Sequence, residues 1–260
     1  MHDFQPSTEA DPMSTFSSDV DFIGRVTRHL EGWLINDDAE LTADLLRTQE
    51  DSEGNAPLVE IGVYCGKYLS LLMASASRTH SRVLGIDTFQ FKDLATVTDG
   101  LTALVPDLMP VLSLHQGSSG DLTADLILQM LGRPARFISV DGSHEHPDVL
   151  HDLRLADATL APGGLVAVDD FLNPVAIGVN RAVNAFMESS PNLVGVACGP
   201  NKLYLARPTH AERYRQHIEA HLKSTPAARG KLFRKRLGKW RGLVEQNFFG
   251  SPMLLYACPS

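Results

Sequence analysis

The segment RFISVDGSHEHP, residues 136–147, runs from an apolar strand pattern straight into Asp141, Gly142, Ser143, His144, Glu145 and His146. A carboxylate followed by imidazoles at a buried strand end suits two kinds of chemistry, metal ligation and proton transfer near neutral pH. It also suits a simple helix cap with its turn. A second acidic strand end lies in APGGLVAVDDFLNP, which closes on the adjacent Asp169 and Asp170. Neighbouring acids there repel each other and are costly to desolvate, and a divalent cation shared with Asp141 would remove that cost. Oxygen-only ligands favour Mg²⁺, or Mn²⁺ or Ca²⁺, over zinc. The alternative is that Asp170 caps a loop while Asp169 accepts backbone N–H bonds. His144 is the candidate base, or else an exposed turn histidine. His146 and His151 carry no assigned role, and His115 stands at a strand end.

A third constellation is LVEIGVYCGKYLSLLMA, with Glu60 at a strand end followed by Gly62 and Gly66 and then a helix. Glycine at such an exit permits a tight turn and lets a ligand approach the backbone. The dinucleotide fingerprint GxGxxG is absent, since Tyr64 stands where its middle glycine would be and would crowd a pyrophosphate. A ligand without phosphates, binding through an amine and a carboxylate, fits better. Asp87 ends the next strand, VLGIDTF, where a carboxylate can accept both ribose hydroxyls. Ser118 and Ser119, in HQGSSGDL after the third strand, either contact an adenine edge or cap the helix that starts near Leu122.

These residues need a framework that gathers strand ends. The runs LVEIG, VLGID, VLSLHQG, FISVD, LVAVDD, LVGVACG and KLYLAR are short and apolar, without clean period-two alternation. Helical patterns over 68–77, 122–131, 147–160 and 176–189 separate them. That texture predicts an α/β fold with a mostly parallel sheet covered on both faces, closed by one antiparallel hairpin through the turn GPN. Ahead of it, SSDVDFIGRVTRHLEGWL and DDAELTADLLRTQE predict two helices, the first capped by Ser18 or Asp19. The expected organisation is a flexible lead (1–17), a helical cap (18–56), a ligand-binding domain (57–208) and a helical, basic extension (209–260).

The chain has 260 residues and a formal net charge of −8, which argues against a general nucleic-acid surface. Its three cysteines are dispersed, which suits reduced thiols in a cytoplasm rather than a disulfide framework. No apolar run is long enough for a membrane span. From Lys223 to Arg241 there are eight basic residues and no acidic one, either a solvated face or a site for an anionic partner. The terminal NFFGSPMLLYACP is too apolar to stand exposed and must pack on the domain or on a second copy of the chain.

Taken together, VEIGVYCGKYLSLL, DGSHEHPDVLHDLRLADATLAPGGLVAVDDF and GVNRAVNAF resemble the class I S-adenosylmethionine-dependent methyltransferases. More narrowly they are similar to the metal-dependent small-molecule O-methyltransferases of the catechol, caffeoyl-CoA and macrocin types. The resemblance covers roughly residues 57–208. It implies a Rossmann-like methyltransferase sheet, with the methionyl part of S-adenosylmethionine held by Glu60, Gly62, Val63, Tyr64 and Gly66. Asp87 would bind the ribose, and Ser118 and Ser119 would border the adenine. Asp141, Asp169 and Asp170 would bind Mg²⁺ or another divalent ion, while His144 takes the place of the lysine base of the catechol type. The acceptor would be a small-molecule hydroxyl, on a sugar or glycosylated natural product or on a phenol, and Asn173 and Arg181 are placed to meet it. The rivals are an NAD(P)-dependent oxidoreductase, a metal-dependent hydrolase and a non-catalytic binding protein on the same fold.

Overall fold

Ser18 accepts a hydrogen bond from the Asp21 amide and so caps α1 (Asp19–His29), whose Phe22, Ile23 and Val26 are buried. The computed structural model describes residues 18–189 and 191–256. The expected flexible lead, 1–17, and the last residues of the apolar terminus lie outside that range. A second helix, α2 (Asn36–Glu53), follows. The chain then alternates strand and helix through β1 (Leu58–Ile61), α3 (Leu69–Arg78), β2 (Val83–Asp87), α4 (Leu94–Leu104), β3 (Leu112–Gln116) and α5 (Ala124–Leu131). It continues through β4 (Ala135–Val140), α6 (His146–Thr159), β5 (Leu160–Val168), α7 (Ile177–Glu188), β6 (Val194–Cys198) and β7 (Leu203–Ala206). Last come α8 (Pro208–Ser224), α9 (Ala228–Lys239), α10 (Arg241–Val244), β8 (Glu245–Phe248) and β9 (Ser251–Leu255).

Among the described residues, all the strands join one nine-stranded sheet in the order β3-β2-β1-β4-β5-β7-β6-β9-β8. The first five of these are parallel, and β7 runs antiparallel to both β5 and β6. Burial on both faces explains the weak alternation in the sequence. Leu58, Leu165 and Ala167 join one apolar core, whereas Val59, Val166 and Val168 join the other. The first core is shared with α1, α2, α3 and α8, the second with α6 and α7.

Two features go beyond the sequence expectations. The sheet continues past the β6–β7 hairpin, because β9 pairs parallel with β6 and β8 pairs antiparallel with β9. The apolar terminus is therefore sheet, with Met253, Leu254 and Tyr256 buried. Helix α4 was also not anticipated. Its threonines hide the stripe of Val97, Leu101 and Leu104, and Asp93 caps it by accepting from the Thr96 amide.

Candidate active site

In an open parallel sheet the crevice opens where the chain reverses its direction of travel, here between β1 and β4. Gly62 stands at that point, its amide donating to the Ile86 carbonyl at 2.8 Å. Its φ is +89°, and a Cβ there would lie 1.9 Å from the Asp141 carbonyl oxygen. Only glycine meets both demands. The loop then turns through Tyr64 at φ 48° to Gly66 at φ 77°. Asp87 braces it from β2, one carboxylate oxygen accepting from the Val63 and Tyr64 amides at 2.8 Å each. The other oxygen accepts from the Phe89 amide at 2.6 Å. Asp87 is thus structural as it stands, with lone-pair capacity left on the oxygen facing Phe89.

Glu60 is buried beneath this loop, and desolvation pushes its carboxyl well above the ordinary range. Its Oε2 has no hydrogen-bond partner among the described residues, so the site holds a buried polar atom that a ligand can satisfy. Beyond β3, Ser118 caps a short 3-10 turn by accepting from the Gly120 amide, and Thr123 caps α5 instead of either serine. His151 of α6 lies 3.1 Å through Nε2 from the Ser119 carbonyl and 3.3 Å from that of Leu122. Carbonyls only accept, so that nitrogen carries the proton and ties α6 to the loop after β3. The segment before α2 lies over the glycine loop: Lys67 Nζ donates to the Gly32 carbonyl at 2.6 Å and Tyr64 donates to Glu31 at 2.6 Å.

The acids come together by register. The Asp141 amide donates to the Ile61 carbonyl at 2.8 Å and the Asp169 amide to that of Val140 at 3.0 Å, so each prolongs its strand by one residue. Val140 pairs with Val168, which places Asp141 and Asp169 side by side. Val168 pairs in turn with Leu203 of the antiparallel β7, so Lys202 stands opposite Asp169. Lys202 Nζ is 3.2 Å from Asp169 Oδ1 and 4.0 Å from the centre of the Tyr68 ring. Asn201 Nδ2 donates to Asp169 at 2.7 Å and to Asp170 at 3.0 Å.

Asp170 takes a left-handed turn, φ 59°, and shares the Asn201 amide group with Asp169. It also accepts from Asn173 Nδ2 at 2.7 Å and lies 2.9 Å from His144 Nε2. Donor atoms of Asp141, His144 and Asp170 all fall within 4.8 Å of one another, a spacing that one cation can span. The expected trio of acids is therefore divided: His144 joins Asp141 and Asp170, while Asp169 faces Lys202. Asn173 holds Asp170, Arg181 is exposed on α7, and His146 opens α6.

The electrostatics follow from burial and neighbours. Burial, then the charge of Asp169, holds the Asp141 carboxyl well above the ordinary range. Burial works to raise Asp169 too, but the Lys202 ammonium and a hydrogen bond from Asp141 keep it below its usual value. Burial favours a neutral Lys202, and the carboxylates of Asp169 and Asp141 overcome it and raise its pKa. Asp38 of α2, whose carboxylate accepts from Tyr256 at 2.6 Å and from the Asn201 amide at 3.1 Å, is pushed by burial to about 6.

Sequence reasoning missed Lys202, Asn201 and Asp38. For the first two a signal existed: a strand entering antiparallel beside β5 must lay its leading residues next to the acids. Asp38 reaches the site from a helix, and no local pattern gives that.

Residues 59–171 match the family described as "Methyltransferase domain". No curated protein matches the chain by sequence. Among solved structures it is similar to CalS11, described as a TDP-rhamnose 3'-O-methyltransferase of calicheamicin biosynthesis. That match has 18% identity and TM-score 0.53, and covers 66% of this chain and 79% of CalS11. It is also similar to an O-methyltransferase of Bacillus cereus in complex with SAH, at 14% identity and TM-score 0.50, over 74% of this chain and 93% of the other. A third is MycE of mycinamycin biosynthesis, in complex with Mg, SAH and mycinamycin VI, at 16% identity and TM-score 0.53, over 74% of this chain and 55% of MycE. Residues 59–171 thus match a methyltransferase domain, and the chain shares the fold of these O-methyltransferases.

Proposed function

We propose that this methyltransferase domain transfers a methyl group from S-adenosylmethionine to a hydroxyl of a small molecule. A sugar or glycosylated natural product is the leading acceptor class and a phenol the second. One observation carries the proposal: Glu60, the glycine loop, Asp87, Asp141 and the Asp170–His144 pair gather at the C-terminal ends of adjacent strands, inside the stretch that matches the methyltransferase family. Residues 57–208 form the cofactor-binding core in this reading, with residues 18–56 and 209–256 completing its flanks. The likeness to CalS11, a TDP-rhamnose 3'-O-methyltransferase, favours the sugar class.

In this reading the unpartnered Glu60 oxygen and the loop amides take the amino-acid end of the cofactor, Asp87 takes the ribose, and Ser118 and Ser119 border the adenine. The cofactor supplies a methyl group already activated on a sulfonium, so the protein's task is alignment of the attacking oxygen. Asp141 and Asp170 would hold a divalent ion, with Asp169 at its border, and the ion would supply charge that favours an ionised hydroxyl. With Nε2–H directed at Asp170, His144 leaves Nδ1 free to accept the acceptor's proton, and Asp170 fixes that tautomer. Asn173 and Asn201 in turn fix Asp170.

Calorimetric titration with S-adenosylhomocysteine and with NADPH separates this reading from a dinucleotide oxidoreductase. Binding of the first and not the second is expected, and the reverse overturns it. With S-adenosylmethionine carrying a labelled methyl group and a panel of sugar nucleotides, glycosylated macrolides and catechols, His144→Ala is expected to lower turnover by about 10²-fold or more. Unchanged turnover would remove His144 from the role of base.

A further inference from the structure

We propose that Lys202 is a built-in counter-ion that withholds Asp169 from the divalent-cation site, leaving Asp141 and Asp170 to hold the ion beside His144. This rests on the methyltransferase reading of the site and adds to it a reason for the division of the acids.

The arrangement is set by the sheet and not by a flexible surface contact. Leu203 pairs with Val168 on one side and with Cys198 on the other, and the Gly199 amide donates to the Lys202 carbonyl at 2.8 Å. Lys202 therefore enters β7 opposite Asp169 with its backbone fixed. Its side chain is only 3% exposed, against 16% for Asp169, so the ammonium cannot swing out to water. Charge and the Tyr68 ring hold it rather than aligned hydrogen bonds. Asn201 from the same turn accompanies it, its amide group occupying the Asp169 oxygen at 2.7 Å.

These contacts leave little for a second cation at Asp169. A Mg²⁺ ion bound to that oxygen at the usual distance of about 2.1 Å would sit within roughly 5 Å of the ammonium, and two positive charges that close in a buried site repel strongly. Asp170, by contrast, meets neutral amides and His144 and, among the described residues, has no ammonium beside it. The donors that remain, the carboxylates of Asp141 and Asp170, suit Mn²⁺ as well as Mg²⁺.

Mn²⁺ binding, followed by electron paramagnetic resonance in the presence of S-adenosylhomocysteine, tests the proposal without an acceptor substrate. In the wild-type protein Asp169→Asn is expected to change Mn²⁺ affinity by less than about threefold, whereas Asp170→Asn abolishes binding. Lys202→Met is expected to tighten binding by about tenfold or more, because it frees Asp169, and adding Asp169→Asn to it should remove the gain. A general loss of structure would weaken binding, so a tighter variant cannot arise from damage. Loss of Mn²⁺ binding in Asp169→Asn alone, unchanged or weaker binding in a folded Lys202→Met, or no Mn²⁺ binding by the wild type would each overturn the proposal. If Lys202→Met fails to fold, the Asp169→Asn and Asp170→Asn arms decide. Calorimetry with S-adenosylhomocysteine on the same samples keeps the two ideas apart, since a wild type that binds Mn²⁺ but not the nucleoside would sink the methyltransferase reading alone.

Discussion

Gly62 and Asp152 show how one residue sets the local terms. A methyl group at Gly62 would meet backbone rather than a yielding side chain, and φ there is +89°. Gly62→Ala is therefore expected to lose more than about 2 kcal/mol in denaturant unfolding and to lose nucleoside binding with it. Asp152 is buried under the Gly142 turn, and burial raises its carboxyl from 3.8 to about 6, with Ser119 offsetting only part of the effect. Between those values the folded protein keeps a proton that the unfolded chain has released. Stability from this group therefore falls as pH rises from about 4 to about 6, and above that the deficit stays. Asp152→Asn is expected to be more stable than the wild type at pH 7.5, by at most about 3 kcal/mol, and to lose that advantage near pH 4. A variant less stable at pH 7.5 would show that the charge is wanted there.

Among the elements, the C-terminal hairpin has the largest consequence. β9 lengthens the sheet beside β6 and delivers Tyr256 to Asp38 at 2.6 Å, so the end of the chain supports the same acid that accepts from the Asn201 amide. Tyr256→Phe is expected to cost about 1.5–3 kcal/mol in denaturant unfolding, the range for a hydrogen bond to a charged group. No loss would mean that Asp38 is satisfied without it. The basic run from Lys223 to Arg241 resolves into separate duties. Arg229 is buried against Asp37 and Glu40, and Arg234 closes the end of α8 on the carbonyls of Lys223 and Thr225. The sequence left this run as either a solvated face or an anionic-partner site, and at these two positions its arginines serve as ties between elements.

At the scale of the whole molecule, the flanking helices and the sheet share one core. Phe22, Leu45, Phe137, Tyr214 and Tyr256 belong to the same buried cluster, so α1, α2, α8 and the terminus stand or fall with the strands. Among the described residues no helix is long and apolar enough to cross a membrane. A ligand that binds only the folded state should therefore stabilise the whole chain. S-adenosylhomocysteine at a hundred times its dissociation constant is expected to add about 2.7 kcal/mol, or a rise of several degrees in Tm by scanning calorimetry. No shift at saturation would count against the cofactor assignment.

The sequence by itself determined the strand–helix alternation, the glycine turn after β1 and the acids that close β2, β4 and β5, because these are local patterns of apolar spacing and turn chemistry. It also marked His144, whose place three residues beyond Asp141 follows from the tight turn between them. Tertiary structure decided which of these groups meet. Asp169 and Asp170 are adjacent in the chain, yet the first meets Lys202 and the second His144. Lys202 reaches Asp169 only because β7 returns antiparallel beside β5, and Asp38 and Tyr256 arrive from opposite ends of the chain. Strand order and register are long-range properties, set by the packing of the whole sheet, and no short stretch of sequence carries them.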